Sequence, residues 1–210
     1  MLEVPFDGGR GSALAGGRYS YTGLLFSIVQ SDLRLDYWDY QARVTYDVTP
    51  SDTVTLFAFG ARDFLGDKDA GADRTLVDTT FHRVDLRYER KLGPASSFRQ
   101  AFTFGYDLTG FDGGGVSDML FATRSELRYA WTPRTTVRAG LDASIDHIES
   151  TLDELAQGEG GFELPIDLSP RFDFAVGAYA DAVVKVDDRL EVTPGVRADF
   201  YASDGKEGGT

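Results

Sequence analysis

Two histidines, no cysteine and 34 carboxylates bound the chemistry open to this chain of 210 residues. Without cysteine there is no disulfide framework, no thiolate nucleophile and no zinc–thiolate site. Asp146, His147 and Glu149 put one imidazole between two acids, a metal- or ligand-binding pattern. No second histidine stands near them, so a surface histidine accounts for the trio. Asp67, Asp69 and Asp73 crowd three carboxylates into one Gly-rich stretch. Their spacing matches no EF-hand loop and Lys68 intervenes, which fits a solvated loop better than a calcium site. Gly113, Gly114 and Gly115 lack the strand-to-helix setting of a phosphate cradle. Serines abound, yet neither His82 nor His147 carries a nucleophile motif around it. The expectation is a protein that is not an enzyme, with no catalytic, metal or cofactor-binding residue.

The charges that do form a pattern alternate. Arg83, Asp85, Arg87 and Glu89 occupy every second position, as do Arg124, Glu126 and Arg128. Side chains along a strand point alternately to opposite faces, so each set shares a face and Val84, Leu86, Tyr88 and Leu127 share the other. The same period recurs along the chain. Tyr40, Ala42, Val44, Tyr46 and Val48 oppose Gln41, Arg43, Thr45 and Asp47. Val137, Ala139, Leu141, Ala143 and Ile145 oppose Arg138, Gly140, Asp142 and Ser144. Val192, Val196, Ala198 and Phe200 oppose Arg197 and Asp199. Phe98, Phe102, Phe104 and Tyr106 oppose Arg99, Thr103 and Asp107, with Gln100 breaking the rule. Strands are expected at 12–21, 39–49, 53–62, 79–90, 98–107, 119–130, 136–146, 172–186 and 190–201. Only 53–62 is apolar on both faces, through Val54, Leu56, Phe57 and Phe59, and its facing stays open.

These nine strands are about ten residues long, the length a tilted strand needs to cross a bilayer; strands of soluble sheets average about five or six. Their connections alternate. Short turns lie at 50–52, 91–97, 131–135 and 187–189, and long connections at 22–38, 63–78, 108–118 and 147–171. One rim of tight turns and one of long loops is the pattern of an outer-membrane barrel. Tyr46, Tyr88, Tyr129 and Trp131 stand near the short-turn rim, and Tyr19, Tyr21, Tyr40, Tyr106 and Phe200 near the other, like two interfacial girdles. Aromatics at 13% and 24 glycines suit such strands and turns. No apolar run approaches a transmembrane helix, but alternating strands escape that criterion. The net charge of −13 argues against nucleic acid as a partner. The expected fold is therefore all-β: an antiparallel up-and-down transmembrane β-barrel with about nine strands present. Residues 1–210 would form a single, incomplete barrel region in the outer membrane of a Gram-negative bacterium, its apolar face on the lipid bilayer. The residues expected to face the lumen are Arg43, Arg83, Asp85, Arg87, Arg124, Glu126, Arg128, Arg138, Asp142 and Arg197.

The stretch Leu190-Glu-Val-Thr-Pro-Gly-Val-Arg-Ala-Asp-Phe-Tyr201 resembles a recurring barrel strand of TonB-dependent receptors. Gly17-Arg-Tyr-Ser-Tyr-Thr-Gly23, Asp36-Tyr-Trp-Asp-Tyr-Gln-Ala-Arg43 and Phe57-Ala-Phe-Gly-Ala-Arg-Asp63 look like early strands of the same family. The resemblance implies active uptake of a large or scarce ligand, such as a metal chelate, with a plug domain and the energy-transducing TonB complex as partners of the full-length protein. An energy-coupling box, a plug and a signal peptide are not seen, so the chain reads as a fragment. The alternative is a small barrel of eight to ten strands with a structural or adhesion role.

Overall fold

Alternation of this kind forces extended pairing, and the described residues of the computed structural model are almost wholly strands. It describes residues 1–20, 33–69, 72–112, 114–151 and 170–204. In chain order the strands are β1 (Leu2–Phe6), β2 (Gly11–Ser20), β3 (Leu33–Asp47), β4 (Asp52–Asp69), β5 (Ala72–Gly93), β6 (Ser96–Phe111), β7 (Gly114–Thr132), β8 (Thr135–Ser150), β9 (Arg171–Lys185), β10 (Glu191–Val192) and β11 (Gly195–Ser203). All belong to one antiparallel sheet in which sequence neighbours are ladder neighbours, with β10 and β11 both on β9. Pro194, which has no N–H to donate, separates β10 from β11, while its carbonyl still accepts from the Ala182 N–H at 3.0 Å. The two pieces thus form one interrupted strand. β1 and β11 have no second partner among the described residues, so the sheet stays open and does not close at eight to ten strands.

All nine expected strands are present, with one addition. The missed strand, β1, folds back on β2 through Asp7, Gly8 and Gly9, whose φ angles of 50°, 63° and 91° are left-handed. The larger difference is in length. All four expected long connections include described residues, and two of them are mostly ladder. Residues 63–69 pair with 72–79 to continue the β4–β5 hairpin, and 108–111 pair with 114–117 to continue β6–β7. These stretches mix polar and apolar residues on both faces, as at Phe64 and Leu65, so no alternation marks them, yet backbone pairing needs none. The remaining connections, 21–32 and 152–169, lie outside the described residues.

The short turns are closed by local side-chain bonds. The Thr49 hydroxyl donates to Asp52 at 2.5 Å and accepts from the backbone of Ser51 and Asp52 at 3.2 and 3.1 Å. Asp187 accepts from the backbone of Arg189 and Leu190 at 2.7 and 2.9 Å. Both are side-chain caps of the kind Asx and Thr turns use.

Candidate functional site: the two faces of the wall

Paired residues in an antiparallel ladder point to the same side, so the register assigns every side chain to a face. One face runs Ala42, Ala58, Val84, Phe104, Phe121, Ile145, Phe174 along one ladder row and Val44, Leu56, Leu86, Phe102, Thr123, Ala143, Val176 along the next. Large apolar side chains stand open on it: Phe102, Phe121 and Leu141 are 55%, 58% and 57% exposed. Ala101 is the one buried apolar residue among those described. The sheet has no core of its own, and its oily side chains do not meet one another inside a two-layer body.

The opposite face is ionic. Arg43, Arg83, Asp85, Arg87, Arg124, Glu126, Arg128, Arg138, Asp142 and Arg197 all lie on it by register. Ion pairs span neighbouring strands: Arg83 to Asp107, Arg99 to Glu89 at 2.7 Å, Arg124 to Asp142, and Arg138 to Asp181 through two bonds of 2.7 and 3.0 Å. Arg87 reaches Asp85 at 3.1 Å, and Arg43 stands 3.6 Å from Glu3. Arg128 has no ion pair among the described residues.

Glycines let this network reach across whole strands. Gly140 sits between Glu126 and Tyr179 in the ladder, and a Cβ there would collide with the Tyr179 ring. The bare position lets Tyr179 pass over β8 and donate its hydroxyl to Glu126 at 2.8 Å. Gly177 does the same for Arg197, which crosses β9 to reach Asp142 at 3.1 Å while holding Asp199 at 2.6 Å. No sequence pattern marks these bridges, because both partners are far from the glycine along the chain.

The register also places 53–62, whose facing the sequence leaves open. Val54, Leu56 and Ala58 join the apolar face, and Phe57 and Phe59 join the ionic one, beside Phe81. The ring centroids are 5.1 Å apart for Phe57–Phe59 and 5.9 Å for Phe59–Phe81.

The exception at Gln100 has a structural reason. It lies on the apolar face, where its amide donates to Thr123 at 2.7 Å and to the Ala101 carbonyl at 3.2 Å. It also accepts from Ser125, and Thr123 donates to the same carbonyl at 3.2 Å. The three polar side chains bond one another and the backbone, so their groups are satisfied within the sheet.

Both histidines fall on one ladder row, Tyr40–Gly60–His82–Tyr106–Met119–His147–Phe172, on the apolar face. His82 bonds the Tyr40 hydroxyl at 3.1 Å, with no serine as partner. His147 stacks on Phe172 at 4.2 Å and stands 3.8 Å from Glu149. Asp146 points to the other face, so the Asp146–His147–Glu149 trio is not assembled. Of the Asp67, Asp69 and Asp73 group, the side chains of Asp69 and Asp73 lie outside the described residues, as does Gly113 of the glycine run. Among the described residues no three His, Asp or Glu side chains come together as a metal site.

A strand-only, two-faced, open antiparallel wall is what a large barrel contributes per segment, and solved structures agree. The ferric enterobactin receptor PfeA from Pseudomonas aeruginosa, in a variant form, matches 95% of this chain with a TM-score of 0.71 at 10% identity. The chain has the barrel fold of TonB-dependent receptors. The alcaligin outer-membrane receptor FauA from Bordetella pertussis matches 96% of it (TM-score 0.66, 14% identity). The siderophore receptor PirA from Acinetobacter baumannii matches 95% (TM-score 0.65, 14% identity). The wall spans about a third of each receptor's length: 36%, 33% and 35%. No protein-family model and no curated sequence matches the chain.

Proposed function

We propose that this chain is part of the wall of an outer-membrane receptor barrel that takes up a large or scarce ligand, a chelated metal being the leading class. The apolar face meets lipid hydrocarbon. The ionic face, with the ten residues from Arg43 to Arg197 named above, lines the interior. A plug domain and the TonB complex would act with the wall in the full-length protein. The observation that carries this reading is the structural match of 95% of this chain to about a third of a siderophore receptor, joined to a sheet whose two faces are segregated by chemistry. Segregation supplies the physical reason: an arginine facing mid-bilayer costs about 2–4 kcal/mol, whereas paired charges on a wet interior do not pay it.

The test is uptake. The full-length protein is expressed in a Gram-negative strain stripped of its own siderophore receptors and starved of iron. Accumulation of radioactive iron from catecholate, hydroxamate and carboxylate chelates is then measured, with and without the proton-motive force. Energy-dependent accumulation from one chelate class is the expected result. Uptake that is equally fast for unrelated small solutes and indifferent to energy would instead make the protein an open pore.

A further inference from the structure

Charge is distributed unevenly along the wall. The ladder row Tyr40–Gly60–His82–Tyr106–Met119–His147–Phe172 divides the strands into an end with the short turns and an end with the long connections. Beyond that row, 18–39, 61–81, 107–118, 148–171 and 205–210 carry 18 of the 34 carboxylates but only 7 of the 21 lysines and arginines. Eleven of the 13 net negative charges therefore belong to the long-connection end. The stretch 148–171 contributes most, with six acids against Arg171 alone.

The contacts show the same division. Short of the row, the ionic face neutralises itself: Arg87 holds Asp85, Arg99 holds Glu89, Arg124 and Arg197 share Asp142, and Arg138 holds Asp181. Beyond it, Asp39 and Asp107 are held by Arg18 and Arg83. Asp63, Asp67 and Asp118 lie on the same face with no ion pair among the described residues. The Oδ1 atoms of Asp67 and Asp118 are shielded from solvent and bond no described group. Asp118 also stands directly opposite Asp107 in the ladder, a like-charge pairing that costs stability. Negative charge kept where it costs stability fits a positive partner that the wall itself does not supply.

We infer that the ligand of this receptor is cationic: a chelate bearing free ammonium or guanidinium groups, drawn in by the negative long-connection end. This rests on the receptor reading, with the ionic face as the interior. A cleft lined by one sign of charge concentrates ions of the other and speeds their capture by about 10- to 1,000-fold. The neutral wall further in has no such hold, so a cation captured at the entrance is not trapped below it. A bare metal ion is not selected, because no three carboxylates among the described residues converge on one point.

Two measurements on the full-length protein test this. Fluorophores on Thr79→Cys beside Asp63, on Ala122→Cys in the neutral stretch and on Phe102→Cys on the lipid face are quenched by caesium and by iodide, with neutral acrylamide as the reference for access. At about 0.1 M salt, caesium should outdo iodide at 79 by about fivefold or more, and the two should be equal at 122. Asp63→Asn, Asp67→Asn and Asp118→Asn together should reduce the ratio at 79. Iron accumulation is then compared for a ferric trihydroxamate whose terminal amine is free or succinylated. The free amine should accumulate about fivefold faster or more, and the triple variant should narrow that gap. Equal quenching by the two ions at 79, or equal accumulation from the two chelates, overturns the cationic inference and leaves the barrel intact. Quenching at 102 by either ion as strong as at 122 overturns the barrel reading itself.

Discussion

Leu141 and Ser144 are three residues apart on β8 and should respond oppositely to the same arginine. Leu141 stands midway along the apolar stretch Val137–Ile145, is 57% exposed and has Ser125 and Ala178 as ladder neighbours. Arginine there has no carboxylate on its own face to meet, and its guanidinium must sit in hydrocarbon or distort the bilayer to reach water. The expected cost at mid-depth is about 2–4 kcal/mol, a drop of about 30- to 700-fold in the folding equilibrium. Ser144 is on the ionic face beside Asp146, whose carboxylate already accepts its hydroxyl at 3.4 Å. Ser144→Arg therefore meets water and a carboxylate, and its cost should stay under about 1 kcal/mol, as for ordinary polar-surface changes. The assay is urea titration of the full-length protein in phospholipid vesicles, following the folded barrel by its heat-sensitive gel mobility. If Leu141→Arg matches the parent protein while Ser144→Arg loses several kcal/mol, the assignment of faces is inverted and the reasoning fails.

Thr123→Val strips the Gln100 amide of one acceptor in hydrocarbon and should cost about 1–3 kcal/mol in the same titration. The triple change Gln100→Leu, Thr123→Val, Ser125→Ala removes the whole group and should be neutral or stabilising; equal losses for both would show the site is wet. A Cβ at Gly60 would stand 2.6 Å from the Phe81 carbonyl oxygen and from His82 Nδ1. Gly60→Ala should therefore destabilise by about 1–3 kcal/mol, the range for overpacking, and disturb the Tyr40–His82 bond, which tyrosine fluorescence would register. Four residues beyond His82, outside the apolar band, two bonds from Arg62 of 2.8 and 2.6 Å hold the Asp78 carboxyl below its ordinary range. A depressed carboxyl stabilises the fold above its unfolded pKa, and the contribution is lost as pH falls through the lower, folded value. The outer part of the β4–β5 hairpin should thus become more open to pepsin at acid pH, and Asp78→Asn should reproduce part of that loosening at neutral pH by hydrogen exchange.

What the sequence made legible follows from where period two is enforced. Strands such as 136–146 must present carbon to one side and charge to the other, so each residue reveals its own facing. The outer parts of β4 to β7 mix polar and apolar residues on both sides and read as loops, because the backbone pairing that orders them leaves no trace in side-chain polarity. Residues 53–62 are ambiguous for the opposite reason: Phe57 and Phe59 occupy positions on the ionic face where neighbouring strands carry charge. The bridges over Gly140 and Gly177 depend on register between three strands, which alternation within one strand cannot supply.

The register also carries the tilt of the wall. Tyr46 pairs through Val54, Tyr88 and Gln100 to Ser125, four strand gaps away. β3 ends one residue after this ladder row, at Asp47, and β9 ends seven after it, at Lys185, a slip of six residues over six gaps. The strand ends thus give one residue of slip per strand. With about 3.3 Å per residue and about 4.8 Å between strands, a level rim then requires strands inclined by about 35°, within the range closed barrels demand. At that inclination an apolar band about 25 Å tall takes about nine residues of strand. Val137 to Ile145 on β8 is such a stretch, with polar Thr135 below it and His147 above it on the same face. Slip, tilt and band height thus agree with the proposed wall crossing a bilayer, and a β8 span shown to be in contact with water along its apolar face would break that agreement at its centre.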